Sequence, residues 1–227
     1  MTSVELSWIV GRATLGSLAL LFTPVRQYGA ERVPHIGGVV LAFNHLAWVD
    51  IPIVGALCPR YPIAFVAKVE AHRVPALGQF IRALGTLSVR RGESDREAVR
   101  LMREAARRGG ALGVFVEGTR QRSGVPGRAQ PGAAMVAIQE QVPVVPCAIH
   151  GTQSWRVGNF APVSLAWGEP MRFDDLPRNA KGYREGTAEI EAEIRRLWEW
   201  LVALHELDRR PMLATPPARP GPGLAQA

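Results

Sequence analysis

GGVVLAFNHLAWVDIPIVGAL, Gly37 to Leu57, is the stretch on which the reading of this chain turns. Its opening, Gly37 to Phe43, runs through unbroken aliphatic and β-branched residues, as a strand buried on both faces of a parallel sheet does. Its end, Ile51 to Leu57, reads as the start of a buried helix, with Pro52 in the first turn, where a missing N–H costs nothing. Asn44, His45 and Asp50 stand between these two apolar segments. His45 and Asp50 are five positions apart, which on a continuous helix separates them by about 140° and on a straight strand puts them on opposite faces. They meet only if a strand ends near Asn44, the chain turns, and a helix begins near Asp50. Asp50 then has two readings: the N-cap of the new helix, or the carboxylate that orients His45 as a general base.

Outward from this stretch the pattern alternates. Strands are predicted at Val39 to Phe43, Ile63 to Ala67, Thr86 to Val89, Leu112 to Val116, Val142 to Ile149 and Val163 to Trp167. One helix is predicted from Ser94 to Arg108, opened by the capping box Ser94 and Glu97 and closed by Gly109-Gly110. A second is predicted from Thr187 to Leu207, with Ile190, Ile194, Leu197, Leu201 and Leu204 on one stripe. This is an α/β pattern: a largely parallel central sheet flanked by helices. The 227 residues form one catalytic-size domain, residues 28–210, behind an apolar N-terminal helix at 1–27. The Pro/Gly-rich tail, 211–227, is predicted to be disordered.

Charge narrows the partner. The net charge is +7, and ten Arg against five acids between Arg90 and Arg128 supply +5 of it. No interleaved aromatics, zinc spacing or RNA-binding fingerprint accompanies them, so a phosphorylated small molecule or an anionic headgroup fits better than nucleic acid. The two cysteines, Cys58 and Cys147, lie in apolar runs and offer neither a disulfide framework nor a metal pair. His35, His72, His150 and His205 have no metal-ligand spacing.

Leu6 to Phe22 is apolar except for Arg12 and a few small polar residues. Summed insertion energies of roughly −3 to −4 kcal/mol against up to about +3 for Arg12 make a span marginal. Two readings compete: a helix in one leaflet with Arg12 snorkelling to the headgroups, or a helix docked on the protein core.

Two further strand ends carry charge. VFVEGTRQRSG, Val114 to Gly124, bears Glu117, Arg120 and Arg122, and GTLSVRRG, Gly85 to Gly92, ends in Arg90 and Arg91. Loops at the ends of parallel strands build ligand sites, and arginine grips phosphate bidentately. With these blocks the sequence resembles the glycerolipid acyltransferase family, whose best-known members are lysophosphatidate acyltransferases. The N-H-x-x-x-x-D block is matched by Asn44, His45 and Asp50, with Trp48 at a commonly aromatic position. Gly85 and Arg91 match the second block, and Phe115, Glu117, Gly118, Thr119 and Arg120 the third. The fourth is matched by Val142, Pro143, Val145 and Pro146. The likeness runs from about Tyr28 to Gly168, departing at Ala47, Ser88 and Val116.

The resemblance implies transfer of an acyl group from acyl-CoA or acyl carrier protein to a lysophospholipid hydroxyl, most closely lysophosphatidate. His45 and Asp50 would be the catalytic base and its partner. Arg91, Glu117, Gly118, Thr119 and Arg120 would form the acceptor-phosphate site, Glu117 positioning an Arg or the loop, and Pro146 would border the acyl or thioester site. The histidine spacing leads us to expect no metal, and no cofactor is expected beyond the thioester co-substrate; membrane-borne substrates together with the apolar N-terminal helix predict a monotopic protein on the cytoplasmic face of the membrane, with residues before about Thr23 in one leaflet. No G-x-S-x-G elbow is present, so no covalent acyl-enzyme is expected. Two other readings share these motifs: the same chemistry on a glycolipid or amino-acid lipid, and a non-catalytic membrane-binding relative.

Overall fold

The computed structural model describes residues 2–89, 96–207, 211 and 213–219. Seven strands form one sheet: β1 (Val25–Tyr28), β2 (Val39–Phe43), β3 (Ile63–Lys68), β4 (Leu87–Val89), β5 (Ala111–Phe115), β6 (Val144–His150) and β7 (Val163–Trp167). Their order is β1-β7-β6-β2-β5-β3-β4, with every pair parallel except β6 and β7. The sheet is thus largely parallel, as the alternation predicts. β2 lies between β5 and β6, and all five of its residues are buried, which is why its sequence is continuously apolar rather than alternating.

The two faces of β2 serve two cores. Val39, Leu41 and Phe43 pack with Ile53 and Val54 of α3 (Asp50–Leu57) and with Trp8 of α1 (Ser3–Gly11). Val40 and Ala42 face α6 (Arg96–Arg107), α7 (Gly132–Glu140) and α8 (Ala180–Glu206). The short helices α4 (Val69–Arg73) and α5 (Leu77–Ala83) bridge β3 to β4.

The N-terminal helix is docked on this core. A π-turn, Arg12–Gly16, joins α1 to α2 (Ser17–Leu21). Trp8 is buried and donates its indole N–H to Leu84 O at 2.9 Å. Arg12 does not snorkel: it donates to Gly55 O (3.1 Å) and Cys58 O (2.7 Å) at the end of α3 and lies over the Tyr61 ring, 4.7 Å away. Those carbonyls have no partner within their own helix, so a cation there completes α3. Gly16 allows the close approach, since a Cβ there would stand 2.9 Å from Ala56 Cβ. The outer side of the helix keeps Leu6, Ile9, Val10, Leu18 and Leu21 exposed. Ser3–Leu21 is long and apolar enough to cross a membrane by length and composition.

Most predicted boundaries shift by one or two residues, and the Ser94 cap expected for α6 lies outside the described residues; three differences are larger or change an assignment. The sheet begins at Val25, inside the segment assigned to the N-terminal helix; β1 is a half-buried edge strand on β7, so its VRQY sequence carries no apolar signal. α8 starts at Ala180, seven residues before the predicted Thr187, capped by Asn179 Oδ1, which accepts from Lys181 N and Gly182 N. Part of the tail, 213–219, packs on the domain: Pro216 is buried, its carbonyl accepts from Arg32, and Pro217 O accepts from Arg196. Residues 208–210, 212 and 220–227, and with them the rest of that expectation, lie outside the described residues.

Candidate active site

β2, β5 and β6 run parallel or share register at the centre of the sheet, and the loops after them converge at one edge. The chain leaves β2 at Phe43 and enters α3 at Asp50, the turn that lets His45 and Asp50 meet. His45 Nδ1 lies 2.8 Å from Asp50 Oδ2. The same oxygen accepts the N–H groups of Leu46 (2.7 Å) and Ala47 (2.8 Å). Asp50 is therefore not the N-cap of α3, a position held by Val49; it is a first-turn residue whose carboxylate points back into the loop. It is fully buried, and the oxygen that accepts these two backbone N–H groups faces His45 as an acceptor too, which makes Nδ1 of His45 the donor and leaves Nε2 as the basic nitrogen.

Asn44 and Glu117 lock the loop from two sides. The Asn44 amide exchanges two hydrogen bonds with the backbone of Ile149, at 2.9 and 2.7 Å, tying the end of β2 to β6. Glu117, two residues past β5, accepts the backbone N–H of His45 (2.7 Å) on one oxygen and that of Gly127 (2.8 Å) on the other. Of the two roles open to Glu117 in the sequence, its hydrogen bonds among the described residues are those that hold the loop, and no arginine is among them. Burial pushes its carboxyl up to about 7, opposed by the two backbone N–H donors. The His45 ring lies against Phe115, with centroids 4.3 Å apart.

Gly118 adopts φ +69°, a left-handed conformation that suits glycine, and turns the chain out of β5 so that Thr119 and Arg120 reach solvent. Arg120 lines a cavity of about 410 Å³ with Leu46, Ala47, Trp48, Thr152, Trp155 and Arg156 among its neighbours. Leu46 and Ala47 directly follow His45, so the cavity adjoins the His–Asp pair. Trp48 and Trp155 pack edge to face across it, with centroids 5.5 Å apart. Exposed Val157 also lines it, and exposed Phe160, three residues further along the same loop, touches Phe22 at the end of the N-terminal helix.

Of the expected site residues, one is not described and one is placed away from His45. Arg91 lies outside the described residues. Pro146 is not brought to His45: it shares a face of β6 with Val144 and Ala148, against α7 and α8, and its ring approaches Gly168. The arginines in and just after α6 are largely spent on carboxylates, Arg100 on Glu97, Arg103 on Glu140, and Arg107 and Arg108 on Glu104. In the loop after β5, by contrast, Arg120, Arg122 and Arg128 have no ion pair among the described residues. The cavity residues after β6 escaped the sequence reading, although the strand-end rule points to any loop following β6.

Burial pushes the Cys58 thiol up to about 11 and the Cys147 thiol well above its ordinary value, so neither supplies a thiolate nucleophile. Among the described residues no group of three or more His, Cys, Asp or Glu is placed to hold a metal.

Comparison with known proteins converges on one chemistry. The profile of the Acyltransferase family matches residues 24–150. The chain is 28% identical over 153 residues to the 1-acyl-sn-glycerol-3-phosphate acyltransferase of Bacillus subtilis (strain 168), covering 67% of this chain and 76% of that protein. It is 37% identical over 108 residues to the lyso-ornithine lipid O-acyltransferase of Pseudomonas aeruginosa, covering 47% of this chain and 40% of that protein. The fold superposes on the crystal structure of the 1-acyl-sn-glycerophosphate (LPA) acyltransferase PlsC from Thermotoga maritima with a TM-score of 0.69 and 26% identity, over 88% of this chain and 80% of that one.

Proposed function

We propose, from the premise that this chain belongs to the acyltransferase family, that it acylates the free hydroxyl of a lysophospholipid, with lysophosphatidate the favoured acceptor and phosphatidate the product. The observation that carries the reading is the orientation of His45: Asp50 holds Nδ1–H, so Nε2 is free to take a proton beside the cavity. The acceptor oxygen attacks the carbonyl carbon of the acyl thioester while its proton passes to Nε2. Collapse of the tetrahedral adduct breaks the C–S bond, and the imidazolium returns the proton to the departing thiolate. A thioester is already activated, so one general base, worth roughly 10²- to 10⁴-fold, is enough without an acyl-enzyme. Buried Asp50 stabilises the transient imidazolium. Arg120 would take the acceptor phosphate, joined by Arg91 on the strength of the second motif block, and Glu117 keeps His45 in place from behind.

The exposed apolar side of the N-terminal helix, continued through Phe22 and Phe160 to the cavity rim, supports a monotopic enzyme on the cytoplasmic face of the membrane, fed laterally with lipid. Extraction of an acyl chain through water would otherwise cost about 0.8 kcal/mol per CH₂.

A lyso-ornithine lipid is the second reading, because a relative acting on that class is 37% identical over 108 residues. Arg120, which has no ion pair among the described residues, favours a phosphate over a zwitterion. The test is to incubate the protein with acyl-CoA and a panel of lysolipids and to record by mass which acceptor gains an acyl group. Lysophosphatidate is expected to be the preferred acceptor. Preference for lyso-ornithine lipid would select the second reading, and no acylation of any acceptor, with acyl-CoA or acyl carrier protein as donor, would refute both.

A further inference from the structure

The family profile ends at His150, yet the loop beyond it, residues 152–157, supplies about half of the cavity wall through Thr152, Gln153, Trp155, Arg156 and Val157. Arg156 is exposed, and the side-chain hydrogen bond it makes among the described residues is to its own neighbour, Nη1 to Trp155 O at 2.8 Å. It has no carboxylate partner among those residues, and neither has Arg120. Among the described residues no Asp or Glu lines the cavity, so its wall carries two arginines and no described counter-charge. Such an arrangement repels itself when empty and is relieved by an anion. Arg156 is also held in place: Trp155 is buried, donates its indole N–H to Thr23 Oγ1 at 2.7 Å, and packs on Trp48. An anion gripped here would lie beside two indoles and within reach of the loop that carries His45, which suits a phosphate monoester attached to a lipid.

We propose that the loop after β6 is a second wall of the acceptor site and that Arg156 joins Arg120 in binding the phosphate monoester of the lysolipid. This deepens the lysophospholipid reading and rests on it. The loop lies outside the family match, so it is where relatives with the same base and different headgroups can differ.

Arg156→Gln removes the cation without emptying the core, and its Tm should equal that of the wild type. Kinetics are compared on vesicle-borne lysophosphatidate, on the monoacylglycerol of the same chain, and on acyl-CoA against its 3′-dephospho analogue. A lost charge-assisted contact is expected to raise KM for lysophosphatidate about ten- to hundredfold. KM for the monoacylglycerol and for both thioesters should hold within about twofold, with kcat retained. An unchanged KM for lysophosphatidate in a folded variant would overturn the proposal alone. A rise in KM for acyl-CoA that is absent for the dephospho analogue would assign Arg156 to the CoA phosphate and overturn the acceptor assignment. Wild-type protein that acylates no lysophosphatidate would overturn the acceptor reading together with it.

Discussion

Asp50→Asn separates orientation from charge, because the structure dictates how the amide must sit. Asp50 Oδ2 accepts from Leu46 N, Ala47 N and His45 Nδ1, while Oδ1 is buried with no hydrogen-bond partner among the described residues. Two backbone N–H groups demand an acceptor, so the asparagine oxygen takes the Oδ2 place and its NH₂ is forced into the Oδ1 place, where it stays unsatisfied. Three charge-assisted hydrogen bonds become neutral ones, a loss of about 1 kcal/mol each, and the orphaned amide adds about 1–3 kcal/mol. Relief from burying a charge offsets part of this. A net destabilisation of about 2–4 kcal/mol follows, or roughly 5–15 °C in Tm for a chain of this size. Because the oxygen still receives Nδ1–H, the tautomer is kept. The catalytic loss is then the missing attraction for the imidazolium, up to about 4 kcal/mol at 4 Å with an effective dielectric of 20. That converts to about 10²- to 10³-fold in kcat, short of the about 10⁴-fold seen where a serine protease triad loses its tautomer. The assay is initial-rate acylation of lysophosphatidate below the Tm of the variant, with acceptor KM measured alongside. A folded Asp50→Asn protein with kcat within threefold of wild type would refute the reasoning.

Burial holds the Glu117 carboxyl at about 7 in the fold against an ordinary 4.5, so the neutral group favours the folded state. Its contribution is fully present below about pH 4.5 and is lost as pH rises through about 7, worth at most about 3 kcal/mol; Tm measured from pH 4 to 8 should fall more steeply for wild type than for Glu117→Gln, and parallel curves would contradict this. Arg12→Ala leaves the Gly55 and Cys58 carbonyls unpaired and should cost about 2–4 kcal/mol in denaturant unfolding, whereas a change under about 0.5 kcal/mol would mean that the docking is dispensable. Leu18→Asp with Leu21→Asp alters only exposed positions, so it should release the protein from vesicles at unchanged Tm; retention on vesicles in high salt would place the membrane contact elsewhere.

The sequence revealed what depends on local pattern. β2 and α3 are legible because burial on both faces leaves a continuous apolar run and because Pro52 marks a first turn, and together these bring His45 to Asp50. It concealed what depends on distant partners. Arg12 looks like a polar interruption in an apolar helix until α3, more than forty residues away, supplies its carbonyls. Glu117 sits in a motif with arginines, yet it holds the His45 backbone, a bond with no side-chain signature. The antiparallel sense of β7 is invisible in VSLAW, which is buried throughout and reads the same in either direction. Gly182 and Gly186 weaken the helical signal at the start of α8, but they are there for contact, with Pro177 O and Ala134 Cβ where a side chain would stand. Trp155 and Arg156 acquire meaning only when the loop after β6 folds back onto Trp48 and Thr23.

The most direct test of the His45–Asp50 account is acyl transfer by His45→Ala. The substitution keeps the backbone N–H that Glu117 accepts, so the loop retains its anchor. With lysophosphatidate and acyl-CoA at saturation and the fold verified by near-UV circular dichroism, kcat is predicted to fall by about 10²- to 10⁴-fold, with acceptor binding to vesicles unchanged. Turnover within a few-fold of wild type by the folded variant would contradict a general base at His45.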